Sequence, residues 1–494
     1  MKFAVTKTIR RLVVTYVGLT FLGLSSLASA EPEVKSADAS DPQLQQGSLI
    51  TVTGSGFGEK EQAAPKLYDR ADVAWENGVI NEHQRNFEEG QPILRRDEDP
   101  NTIWTKASNY SMGAVPPIIT KEREHRTPYL NAHYYMLGPK SYLGWPSVTS
   151  EENTKHYVQE DPEDPSKTVV LENKFYLSWW MKILVHPHNY YRYVLEDRQG
   201  DFELNGEDLV GEELRLSNGK SGRIVYITSE EDGSEIAHIE IDDAYYSKDL
   251  GSTITGNNSG ATAILSARDE NPGANKFIRI WDHTSGKYMR WSWTNSVLAG
   301  LTKNSEPNYD GAVGRWVHME YYLDLDHLNL NVTRAQEDSF IDHTTAFGWI
   351  DKRLIHDVTV DKENISIPDP SYVDGIEDNT QNHPYLRPNI GLIGFDGKVQ
   401  TYQKTEISEI YFDYTPQRIM VGDAPDWNDV THTEIQFPQT WSDKSVTFNL
   451  DLGSFEKVTG SLYLYVFDKE NRPNPKGMRL CLDCKAKPSP VVIN

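Results

Sequence analysis

Cysteine is almost missing from this chain of 494 residues, with Cys481 and Cys484 its only two. Two cysteines cannot staple a whole domain, and a zinc module would need further ligands at suitable spacing that are not present. A redox C-x-x-C opens a helix within a βαβ unit, and the residues around this pair do not spell one, so a structural disulfide is expected. The fingerprints of phosphate loops, dinucleotide folds and nucleophile elbows are also absent, and residues 197–203 lack the spacing of an EF-hand loop. Beyond residue 30 no run is long and apolar enough for a membrane span. Basic residues are short as well, 49 Lys and Arg against 73 Asp and Glu, leaving a net charge of −24. Such a surface repels phosphate backbones and anionic lipid heads, so no nucleic acid partner is expected.

What is present points to a multi-domain secreted protein. The length exceeds one ordinary core, so two or three domains are expected. Residues 1–30 carry Lys2, Lys7, Arg10 and Arg11, then an apolar run, then the small residues Ala28, Ser29 and Ala30. That order is the pattern of a secretory signal peptide, placing the mature chain outside a bacterial cytoplasm. Residues 31–46 are polar and read as a linker.

Five segments alternate strictly, at 175–183, 277–282, 288–294, 316–325 and 407–414. Period-2 alternation predicts strands with one buried face. The opposite positions carry rings beside charges: Tyr176, Trp180, Lys182, Arg279, Trp281, Arg290, Trp316, His318, Glu320, Tyr322, Glu409 and Tyr411. Rings stack on pyranose faces while charged groups bond hydroxyls or carboxylates. Side by side in one sheet, these positions would line a concave polysaccharide-binding face. The other reading packs the rings beneath a neighbouring insertion or loop.

Residues 48–58 resemble the opening strand of bacterial IPT/TIG immunoglobulin-like domains. The later strands of that family resemble 419–424, 441–450 and 461–468. The resemblance implies one sandwich split into 47–63 and 418–494, with residues 64–417 inserted between. Within the insert, 175–182, 314–321 and 406–413 look like strands of concanavalin-like jelly rolls. Two similar units beginning at Asp208 and Asp249 each read as a hairpin. They suggest a small β insertion over 197–268, either a rim decoration or a spacer. The expected fold class is all-β: a jelly-roll double sheet, a small immunoglobulin-like sandwich and a small β insertion.

Three functions compete on this reading. Jelly-roll glucanases carry an E-x-D-x-x-E strand for two close carboxylates; here Glu406 and Glu409 stand without the central Asp or a third acid. The first function is therefore carbohydrate binding. The second is a polysaccharide lyase, with His318 or Tyr322 as base and Arg279 neutralising a uronate, assisted by Lys182 or Arg290. The third is a surface or matrix adhesion protein. His125, His133, His156, His186 and His188 read as groove-crossing loops or rim. The jelly-roll resemblance further implies one structural calcium ion held by Asp69, Glu76 and Asp413.

Overall fold

The computed structural model describes residues 31–40, 43–81, 86–100, 102–104, 106–107, 116–137, 141–145, 158–160, 168–170, 174–184, 190–204, 211–229, 232–241, 249–268, 275–281, 290–295, 314–324, 344–360, 389–393, 404–457 and 461–481. Residues 1–30, the expected signal peptide, lie outside them. Among the described residues the chain is all-β, with antiparallel strands, short 3-10 turns and no α-helix. Among the described residues no helix is long and apolar enough to cross a membrane.

The largest body is a double sheet. One sheet runs in the order Arg353–Val360, Thr344–Ile350, Trp316–Asp324, Lys174–Ile183, Lys404–Asp413, Leu67–Asp69, Ala74–Glu76 and Val79–Asn81. The strand Lys404–Asp413 also pairs with His133–Leu137, which pairs with Ile118–Thr120. The second sheet runs Arg290–Asn295, Asn275–Trp281, Asn389–Ile393, Tyr142–Trp145 and Lys106–Ala107. Alternation builds the core between them: Phe175, Leu177, Trp179 and Met181 point inward with Val317, Met319, Ile410 and Phe412, against Leu143, Trp145, Ile390 and Leu392.

The five alternating segments therefore do not share one sheet. Those holding Arg279, Trp281 and Arg290 belong to the second sheet, where Trp281 is the register partner of Arg290. Alternation sorts a strand's two faces but says nothing about which sheet recruits it. The side chains of those three residues lie outside the described set, and their strands do not neighbour Lys174–Ile183.

Strands from both ends of the chain form a second sandwich. Leu49–Ser55 pairs with Ser445–Asn449 in one sheet, and Ile419–Gly422 lies between Thr433–Gln436 and Ser461–Val466 in the other. Ile50, Val52 and Phe57 share its core with Val421, Val446, Phe448 and Leu464. The expected linker is in part a strand here: Glu33–Ala39 pairs with Leu49–Ser55, and Val34 and Ala37 rest on the core. An edge strand needs few apolar residues, so its composition reads as linker.

The inserted unit is a closed six-stranded barrel. It begins with the strand Tyr190–Gln199, ahead of the boundary expected at Asp197, and ends with Thr262–Arg268. Tyr193, Leu214, Ile224, Ile239, Ile254 and Leu265 fill it. Closure removes the exposed edges that two free hairpins would leave.

Candidate functional site

On the strands Lys174–Ile183, Trp316–Asp324 and Lys404–Asp413, the outward positions do form one face. Cross-strand register sets Trp180 beside His318 and Ser408, and Ser178 beside Glu320 and Tyr411. A β-bulge keeps the charges on that face. Glu409 sits at φ +50 where the register shifts between Ser178 and Trp180, so Ser408 and Tyr411 both stay outward. A bulge inserts one residue and re-aims its side chain.

Most of this face is covered. Tyr176, Trp180, His318, Glu320, Tyr322, Glu409 and Tyr411 are all buried, none exposed beyond 5%. The split sandwich sits on them. Tyr176 and Tyr411 pack with Tyr68 and with Ile435 of the sandwich. Arg418 lies 3.8 Å over the Tyr176 ring and 3.9 Å from Glu320, which accepts a 2.6 Å hydrogen bond from the Tyr176 hydroxyl. Trp180 stacks on His318 at 4.8 Å and meets His432 at 5.5 Å. Burial pushes His318 below the usual imidazole range, although Glu320 and Glu434 oppose it. Neither His318 nor Tyr322 is placed to meet a polymer, so the base roles expected of them do not fit this geometry. The rings beside charges are the floor of an interdomain contact.

A segment spanning residues 121–130 straps this contact. Arg123 donates to Glu406, and Arg126, three residues on, donates to Glu409, itself three residues beyond Glu406. Arg126 also donates to both oxygens of Glu434 at 2.7 and 2.9 Å, and its guanidinium lies 4.0 Å over Trp180. Burial lowers the proton affinity of Arg126, but the two carboxylates outweigh it and raise it. For Glu434, burial is likewise outweighed by Arg126 and His432, which hold it well below the usual carboxylate range. For Glu409 burial prevails, with Arg126 opposing, and pushes it up. Both Glu406 and Glu409 are thus engaged by arginines, unlike a hydrolase's acid pair.

Among the described residues, this face keeps partial exposure at its far end, at Trp316 and Lys182. There the register runs Trp316, Lys182, Glu406 and Tyr135 across four adjacent strands. Glu406 is enclosed, while Lys182 and Arg123 keep 16% and 20% of their side chains exposed. Lys182 Nζ stands 3.4 Å from Glu406 Oε2, Arg123 engages Oε1, and the Arg123 guanidinium lies 4.7 Å over Tyr135. Burial would push Glu406 up, but His133, Lys182 and Arg123 together hold it down to about 2. His125 and His133 meet Nδ1 to Nδ1 at 2.9 Å, so one donates and the other accepts. His133 Nε2 has no hydrogen-bond partner among the described residues; Glu406 Oε1 is 3.7 Å away, and the Trp316 ring lies edge-on at 5.4 Å. Burial, then the His133 charge, lowers His125.

Other sequence expectations land elsewhere. Asp69 accepts hydrogen bonds from the Tyr134 hydroxyl at 2.7 Å and the Ala71 amide at 2.8 Å. Glu76 binds Arg96 at 2.9 Å and Trp145 at 2.6 Å. Asp413 pairs with Lys60 at 2.6 Å. Asp413 shares the parity of Tyr411 on the covered face, whereas Asp69 and Glu76 share the parity of the core residues Leu67 and Ala74. The three carboxylates are not brought together, and they do not fit a shared calcium site. No group of three or more His, Cys, Asp or Glu among the described residues is set to hold a metal ion. Cys481 is disulfide-bonded, and Cys484 lies outside the described residues. His156, His186 and His188 lie outside them too. His432, Ser454 and Glu434 cluster, but Ser454 and Glu434 both reach the same Nε2, at 2.7 and 2.9 Å. A catalytic triad needs its acid on Nδ1.

Sequence reading placed His133 on a loop, but it lies on a strand, and it assigned Arg123 and Tyr135 no role. The available signal was spacing: arginines three apart at 123 and 126 match glutamates three apart at 406 and 409.

No protein-family model matches this chain, and no curated protein is similar to it. Among solved structures it is similar to a cellulose induced protein, Cip1, at 10% identity over 60% of this chain and 85% of that one, with a TM-score of 0.21. It is also similar to a xylan β-1,4-xylosidase from Bacillus halodurans C-125, at 7% identity over 77% and 64%, TM-score 0.16. A GH43 glycoside hydrolase engineered to display both endo-xylanase and exo-arabinofuranosidase activity matches at 9% identity over 77% and 65%, TM-score 0.14. This chain thus spans slightly under two thirds of either hydrolase.

Proposed function

We propose that this is a secreted carbohydrate-binding protein that takes polysaccharide at the open end of the main sheet. The supporting observation is the row Trp316, Lys182, Glu406 and Tyr135, set in register and overlain by Arg123. Trp316 supplies a ring for stacking, and the flanking cations supply charge-assisted donors. The sandwich beside it, IPT/TIG-like in its sequence motifs, serves as the cover that confines binding to this end. Retention of the purified protein on immobilised polysaccharides, lost in Trp316→Ala while folding persists, tests the reading. Unchanged retention by that variant would defeat it.

A further inference from the structure

We infer that Lys60 and Asp413 condense into a covalent amide that bolts the split sandwich to the main sheet. Lys60 lies on the connection from the sandwich strand Leu49–Ser55 to the sheet strand Leu67–Asp69. Asp413 ends the strand Lys404–Asp413, from which the chain returns to the sandwich at Ile419–Gly422. The two crossings between these bodies therefore meet at this pair. Both side chains are only 3% exposed, and Nζ stands 2.6 Å from Oδ2. Oδ2 nevertheless has no hydrogen-bond partner among the described residues. The nitrogen is near enough to bond but lies off the direction that a hydrogen bond requires. A dry contact of that kind is the approach of an amine to a carboxyl group.

The surroundings suit the condensation. Burial pushes the Asp413 carboxyl up, against the opposing pull of Lys60. Burial disfavours charge on either partner, and proton transfer within the pair gives the amine and the carboxylic acid that react. The Tyr414 amide donates to Oδ1 at 2.8 Å, where it holds the negative charge of a tetrahedral intermediate. Nζ donates to the Ala63 carbonyl at 3.0 Å, which fixes the amine, and the Trp441 ring walls one side at 5.3 Å. Nζ bonds to Cγ, the Cγ–Oδ2 bond breaks, and Oδ2 departs as water with the acid proton and one amine proton. No oxidant or co-reactant is needed, and holding both groups together replaces an encounter between two molecules. The link closes a long loop and so restricts the unfolded chain. The only cysteines, Cys481 and Cys484, cannot span this junction.

Intact-mass measurement of the purified protein, denatured and reduced, tests the link, followed by tryptic mapping. The mass is expected to fall one water below that of the linear chain. The missing water should map to a branched peptide joining Lys60 to Asp413, with trypsin unable to cut after Lys60. A single proteolytic cut between the two residues should leave the fragments joined on a denaturing gel. Lys60→Arg and Asp413→Ala should each restore the full mass and let those fragments separate. Linear peptides carrying unmodified Lys60 and Asp413 from the folded protein would overturn the inference. So would a water lost elsewhere, or a link to Lys66, the other amine that acts on Asp413. The mass and the map come from the unaltered protein, so a variant that fails to fold does not spoil the result.

Discussion

Arg126 and Glu434 form a two-pronged ion pair, 2.7 and 2.9 Å, that joins the strap to the split sandwich. The same guanidinium donates to Glu409 on the main sheet. One side chain therefore ties the strap, the main sheet and the split sandwich together, and it does so at 2% exposure. Two carboxylates buried that deeply tolerate each other only with the cation between them.

Removing that cation should loosen the assembly. Arg126→Met leaves Glu409 and Glu434 facing each other in a dry contact. The expected loss is about 3–5 kcal/mol of unfolding free energy, the range for breaking a buried pair from one side. Urea unfolding measures it, and a loss below about 1 kcal/mol would show that the contact is solvated.

Trp180 and Trp316 should separate stability from binding. Trp180 is sandwiched between His318 and Arg126, so Trp180→Ala should lower stability by about 3–5 kcal/mol. Trp316 lies at the accessible end, and Trp316→Ala should weaken glycan binding by about tenfold with little change in stability. Thermal melts alongside glycan titration read both; the opposite pattern would place the glycan on the covered face.

Asp69 should make stability fall as pH rises. Burial pushes its carboxyl up to about 7, against the hydrogen bonds from Tyr134 and Ala71. The folded state then holds a proton that the unfolded chain releases near 3.8, so stability declines between those two values and levels above about 7. Asp69→Asn keeps the shape without the charge, and its advantage over the parent should grow from pH 4 to pH 8. Urea unfolding at several pH values checks the slope; parallel curves for the two proteins would refute it.

His125 should act in the other direction. Its proton affinity is lowered in the folded state, first by burial and then by His133. The unfolded chain therefore takes up protons first, and stability of the strap falls as pH drops below about 6.5. Amide exchange across residues 121–130 should accelerate on acidification, and His125→Gln should remove most of that acceleration.

Alternation alone determined that the chain is all-β and which residues face the core. Phe175, Leu177, Trp179 and Met181 must turn one way because a strand has only two sides. The glycine-rich 48–58 and the strands near the other end likewise carried enough pattern to suggest one split sandwich. Tertiary structure alone decided what happens to the opposite face. Burial of Tyr176 by Arg418, and of Trp180 by Arg126 and His432, depends on residues distant in sequence that no local period encodes. The same limit hid the sheet change at Trp281 and Arg290, since pairing partners are chosen by chain topology. It also hid the site, because Arg123, Lys182 and Glu406 come from three separate segments and acquire a shared chemistry only once folding brings them together.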